Sequence, residues 1–302
     1  MIAGISWIWW LGFHVVVAAL LLADSFLFGR SSEARRTQTI AWLWTALLVV
    51  AAAGFAAWIS ITRGHQTALE FVAGYSIEAS LSVDNLFVFM VLFQGFRISP
   101  RRQHTALLWG VAGAVILRAL FIAAGITLLQ RFAWITWLFG LILLYTAWRL
   151  IRGSSANAAI PEAPAAICGL LRKLQPAQRL RSGIGSLLPV ILAVELTDLL
   201  FAVDSIPAVL AVSHNPFVVY TSNIAAILGL RSLYIALGSL LNRFRYIHYG
   251  LGVLLVFVAL KMFAARWIEV PISLSLAVIG AILAVCAVIS WLAGNRAQQI
   301  PD

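Results

Sequence analysis

Long apolar runs separated by short polar stretches recur along the chain, near residues 5–28, 39–61, 69–95, 104–129, 132–152, 187–212, 216–240, 246–266 and 271–293. About 20 apolar residues suffice to carry a helix across the hydrocarbon of a bilayer. The pattern therefore predicts about nine transmembrane helices. Trp7, Trp9 and Trp10 open the first run and read as an interfacial anchor. No basic segment precedes that run, so it is expected to be a membrane helix rather than a cleaved leader. The longest polar gap is 153–186, which holds Pro161, Pro164 and Pro176. It predicts a cytoplasmic surface loop with room for one amphipathic helix near 166–174. The expected organisation is a single transmembrane domain over 1–302. Two helices occupy 5–61, a first repeat 69–152, the loop 153–186, a second repeat 187–266 and a last helix 271–293.

Composition supports a lipid-solvated chain. Hydrophobic residues make up 62% and charged residues 11%, against roughly 25% charged in soluble domains. Mean hydropathy is +0.97. The fold class expected is an all-α polytopic membrane protein. The net charge of +10 could point to nucleic acid, but the basic residues fall at helix ends rather than in one patch, so they are read as topology signals and no nucleic-acid partner is expected. With the N-terminus outside, the cytoplasmic segments hold Arg30, Arg35, Arg36, Arg97, Arg101, Arg102, Arg149, Arg152, Arg172, Lys173, Arg179, Arg181, Arg243, Arg245 and Arg296. The outside segments hold Arg63, Arg131 and Arg266. That bias predicts an N-out, C-in orientation.

The chain repeats itself. Leu117-Arg118-Ala119-Leu120 matches Leu230-Arg231-Ser232-Leu233, and Gly140 falls on Gly252. Upstream, Glu78 and Asp84-Asn85 match Asp198 and Asp204-Ser205 at the same spacing. Each copy covers three helices. An odd number of spans inverts the second copy in the membrane, so two inverted three-helix repeats are expected, an architecture of transporters.

Five carboxylates lie within apolar helices: Glu78 and Asp84 in the third, Glu195, Asp198 and Asp204 in the sixth. Unpaired at the bilayer centre, five acids cost on the order of 12–17 kcal/mol. A cation, protons, a basic partner or internal water must compensate. Arg118 and Arg231 lie mid-helix at matching repeat positions and are expected to form supporting ion pairs. Two arginines cannot neutralise five acids, so a cation or proton site is expected. Glu195 and Asp198 share a helix face. Glu78 and Asp84, like Asp198 and Asp204, converge only if their helix is broken, and Pro207 offers such a break in the sixth helix. The candidate ligands are Glu78, Asp84, Asn85, Glu195, Asp198, Asp204 and Ser205. All offer oxygen, the donor that Mn²⁺, Ca²⁺ and Mg²⁺ prefer. His14 reads as a satisfied core residue, and Asp24 as solvated near the end of the first helix. Cys168 and Cys286 match no disulfide or CxxC pattern. No HExxH, GxSxG or GxxxxGK[ST] motif occurs. Neither an enzyme nor an ATP-driven pump is expected, and no permanent cofactor.

Two stretches, Glu78-Ala79-Ser80-Leu81-Ser82-Val83-Asp84-Asn85 and Glu195 through Asp198 and Asp204 to Pro207-Ala208, resemble the signature motifs of the TerC/Alx family of membrane proteins. So do Thr221-Ser222-Asn223 through Arg231 and the segment from Lys261-Met262 to Ile272-Ser273-Leu274. The resemblance covers about residues 8–293. It implies a bacterial inner-membrane protein of a family named for tellurite resistance and associated with manganese export. It also implies that the motif acids Glu78, Asp84, Glu195, Asp198 and Asp204 handle metal. The reading is a secondary transporter exporting Mn²⁺ or Ca²⁺ as substrate, driven by protons. The alternative is a membrane scaffold that delivers metal to secreted proteins or supports tellurite resistance. The partners expected are the lipid bilayer, the divalent cation and, on the alternative, other membrane or secreted proteins.

Overall fold

The structure is a computed structural model that describes residues 6–29, 34–96, 98–132, 134–152, 187–237, 247–264, 267–268 and 270–296. At some positions inside these helices, Asp84 and Asp204 among them, only the backbone is described. The expected loop 153–186, with its amphipathic helix, lies outside the described residues.

The described residues form helices: α1 Trp7–Gly29, α2 Ala34–Arg63, α3 His65–Gly95, α4 Pro100–Arg131, α5 Ile135–Arg152, α6 Leu188–Leu210, α7 Pro216–Leu228, α8 Leu230–Leu237, α9 Ile247–Ala264 and α10 Ile272–Arg296. The seventh predicted run is divided at Gly229 into α7 and α8, while Pro216–Ala236 still reads as one candidate span. Counting that pair once leaves nine rods, in agreement with the apolar runs. By length and composition Trp7–Phe28, Thr37–Arg63, Arg102–Leu129 and Pro216–Ala236 can each cross a membrane.

Local chemistry explains several boundaries. Pro100 and Pro216 stand in the first turns of α4 and α7, where the missing N–H costs nothing. The Asn215 side chain caps α7 by accepting from the Phe217 N–H. Gly64, at φ +97°, makes the one-residue turn from α2 to α3. The break that Pro207 offers is not taken, and the third helix is unbroken as well. The sixth helix, now α6, runs through Pro207 without interruption, and α3 is continuous from His65 to Gly95. The interruption falls one residue before Leu230-Arg231 instead.

Helices α3, α4, α6 and α7 form the centre. The α3 helix packs on α7 and α4 packs on α6, while α5 pairs with α9. At that last interface a Cβ on Gly140 would meet the Phe263 ring, and one on Gly252 would meet Ile151. Small residues here let the backbones approach, the usual basis of tight packing in lipid. The outside is apolar: Val15, Leu22, Phe26, Leu43, Val50, Ile116 and Leu120 are all exposed. Lipid covers such a surface at no hydrophobic cost.

Candidate functional site

Four helices converge on Arg118, whose side chain is fully buried. Its Nε donates to Asp198 Oδ2 at 3.2 Å and its Nη2 to Asp198 Oδ1 at 2.9 Å, a two-bond fork. Nη1 donates to Glu78 and to Asn223 Oδ1, the latter at 2.8 Å. The Asn223 amide closes the ring by donating to Glu78 Oε2 at 2.9 Å. The cluster therefore joins α3, α4, α6 and α7 through buried charge. Guanidinium is planar and carries five donors, so one arginine serves two carboxylates and an amide at once.

The two acids that meet here are the matching members of the two sequence copies. Within each copy the pairs six positions apart, Glu78 with Asp84 and Asp198 with Asp204, do not converge. On unbroken helices Glu78 and Asp84, six positions apart, differ by about 9 Å in height. Convergence is thus across the copies rather than within them.

Glu195, half-buried and one turn before Asp198, points into the same region with its Oε2 buried and unpartnered. It lies against α4 at Gly113, where an added Cβ would collide with its Oε1. Glycine at 113 is what makes room for this carboxylate. Two more buried polar atoms on these helices lack a hydrogen-bond partner, Ser82 Oγ and Asn85 Nδ2, while the Ser205 hydroxyl faces the Glu78 carboxylate. Glu195, Ser82 and Asn85 all stand on α3 and α6. Of the candidate ligands, Glu78 and Asp198 are held by Arg118. Glu195 and Asn85 keep unused polar atoms, Ser205 faces Glu78, and Asp84 and Asp204 are placed by backbone only. Among the described residues no three His, Cys, Asp or Glu side chains form a metal-holding group.

Arg231 does not join the centre. It pairs with Asp24 of α1 at 2.6 Å, and both side chains are buried. Its guanidinium also lies 5.4 Å from the Phe28 ring. Asp24 is 4% exposed, not solvated as its position near the helix end implies. Sequence reasoning missed this pair, because the two residues stand 207 positions apart and on no common motif. Asp24→Asn should destabilise the protein by about 2 kcal/mol by stranding a buried guanidinium. Thermal melts of purified protein check this, and an unchanged melt would mean Arg231 has another anchor. His14 is hydrogen-bonded to the Tyr220 hydroxyl at 2.8 Å, so it is satisfied as expected, but it is an exposed residue of α1 rather than one of the core. Asn223 belongs to the central cluster, not merely to helix packing.

Comparison with known proteins agrees with the motifs. The profile of the family described as "Integral membrane protein TerC family" matches residues 63–298. A protein of Salmonella typhi named "Putative membrane-bound redox modulator Alx" is 37% identical over 96% of this chain and 96% of its own length. The protein of that name in Escherichia coli K12 is 38% identical over the same shares of both chains. An "Uncharacterized membrane protein STKORF319" of Myxococcus xanthus is 39% identical over 95% of this chain and 93% of its own length. No solved structure matches the chain.

Proposed function

Because the chain belongs to the TerC family of integral membrane proteins, we propose that it is a secondary transporter exporting divalent cations, Mn²⁺ first and Ca²⁺ second. The observation that carries this is an imbalance of buried charge. Arg118 faces two carboxylates, Glu78 and Asp198. Glu195 leaves a buried oxygen with no partner beside them, and Asp84 and Asp204 stand on the same two helices. The second arginine is consumed by Asp24. Excess negative charge in a low-dielectric interior calls for a mobile cation, metal or proton. The unpartnered donors and acceptors on α3 and α6 are oxygen-rich, which suits a hard divalent ion.

The reading has two copies, 69–152 and 187–266, working as inverted repeats. What supports this is an exchange of contacts: Gly140 against Phe263 and Gly252 against Ile151 become one another when α5 and α9 are swapped. The packing of α3 on α7 likewise becomes that of α6 on α4. Alternating access would rock one copy against the other around the Arg118 cluster. Protons would return through the same carboxylates once the metal leaves. The protein would lie in the bacterial inner membrane, N-terminus outside and C-terminus cytoplasmic.

The test is Mn²⁺ uptake into inside-out vesicles holding purified wild type or Asp204→Asn protein. Uptake by the wild type that vanishes in the variant is expected, and an imposed pH gradient should change its rate. If neither protein moves Mn²⁺ or Ca²⁺, the exporter reading falls and metal delivery to secreted proteins takes its place.

A further inference from the structure

We propose that the groove between α1 and α2 is a phospholipid site, taking one acyl chain and seating an anionic head group at Arg63. The two helices meet over only a short stretch. Between them lies a cavity of ≈ 330 Å³, floored by Phe217, Ala225 and Leu228 of α7. Its walls are Phe13, Val16 and Leu20 of α1 and Leu48, Ala51 and Phe55 of α2. Every lining residue is apolar, so the space suits hydrocarbon rather than water.

Length and ends point to a lipid chain. From Trp9 to Leu20, and from Leu48 to Trp58, the walls run about 15–17 Å at the helical rise. That is half of the roughly 30 Å hydrocarbon thickness, the depth of one leaflet. One end is marked by Trp9 and Trp58, whose ring centroids are 4.7 Å apart, as interfacial tryptophans are placed. Just beyond stands Arg63, its guanidinium 5.4 Å from the Phe217 ring that lines the groove. Arg63 forms no ion pair among the described residues, so it is available to a phosphate. The opposite end closes on Leu20, Leu48 and Leu228, deep in the hydrocarbon, where no head group belongs. An occupying chain would brace α7 from behind, the helix that presents Asn223 to the Arg118 cluster.

Native mass spectrometry of the full-length protein tests this, using phosphatidylglycerol and phosphatidylethanolamine of equal chain length. The wild type should retain one phosphatidylglycerol, preferred about fivefold, as one basic residue facing an anionic head group suggests. A Cβ at Gly12 meets nothing within 4 Å, so Gly12→Leu with Ala51→Leu should fill the groove and remove the bound lipid. Gly280→Leu puts the same side chain into open space on α10 and should leave it in place. Arg63→Gln should keep a lipid but lose the preference between head groups, and it carries the test if the filled variant does not fold. Equal retention by the filled variant, equal binding of both lipids by the wild type, or the same loss in Gly280→Leu would each overturn the proposal.

Discussion

Arg118→Gln is expected to cost about 3–5 kcal/mol of stability, the usual penalty for breaking a buried ion pair from one side. Arg118 and Glu78 are both 0% exposed, and Asp198 is 4% exposed. Without the guanidinium, two carboxylates from different helices face each other with only Asn223 between them. The helices that carry them, α3 and α6, lose their shared counter-ion together. Arg118→Lys should recover only part of the loss. An ammonium is a point charge and cannot fork across Asp198 while also serving Glu78 and Asn223. Adding Asp198→Asn to Arg118→Gln should recover more, because it removes the stranded charge rather than replacing its partner. Melting temperatures of the purified variants in detergent rank the three. A wild-type melt for Arg118→Gln would mean that apolar packing alone holds the four helices.

The second large effect separates transport from folding. Glu195→Gln should abolish Mn²⁺ uptake while leaving the melting temperature close to wild type. Its Oε2 has no partner to lose, and glutamine keeps the volume against Gly113. Only the charge goes. A variant acting through the same carboxylate without touching it is Gly113→Ala. The new methyl would meet Glu195 Oε1 and Cδ, so the side chain must move, and uptake should fall with all ionisable groups intact. Normal uptake by Glu195→Gln would remove this residue from the cation path and would leave Asp84 and Asp204 to carry it.

Much of this protein was legible in one dimension. Lipid solvation acts on every spanning residue independently, so nine apolar runs predicted the nine rods among the described residues, and most boundaries fell within a few residues. The motif acids identified α3 and α6 as the helices of interest, because a carboxylate in hydrocarbon is costly wherever it points. The matched spacing of Arg118 and Arg231 marked both as buried cations. Propensity was less reliable. Pro207 suggested a break that α6 does not have, and the division at Gly229 carried no comparable signal. Which acid meets which arginine was set by packing alone. Glu78 and Asp198 meet because α3, α4, α6 and α7 cross around one guanidinium, and Asp24 takes Arg231 because α1 lies beside α8. Contacts 80 or 207 positions apart have no local signature, because their energy exists only once the helices are assembled. The sequence by itself determined that the chain crosses the membrane and hides acids there; only the tertiary structure decided how those acids are partnered, and which are left without a partner.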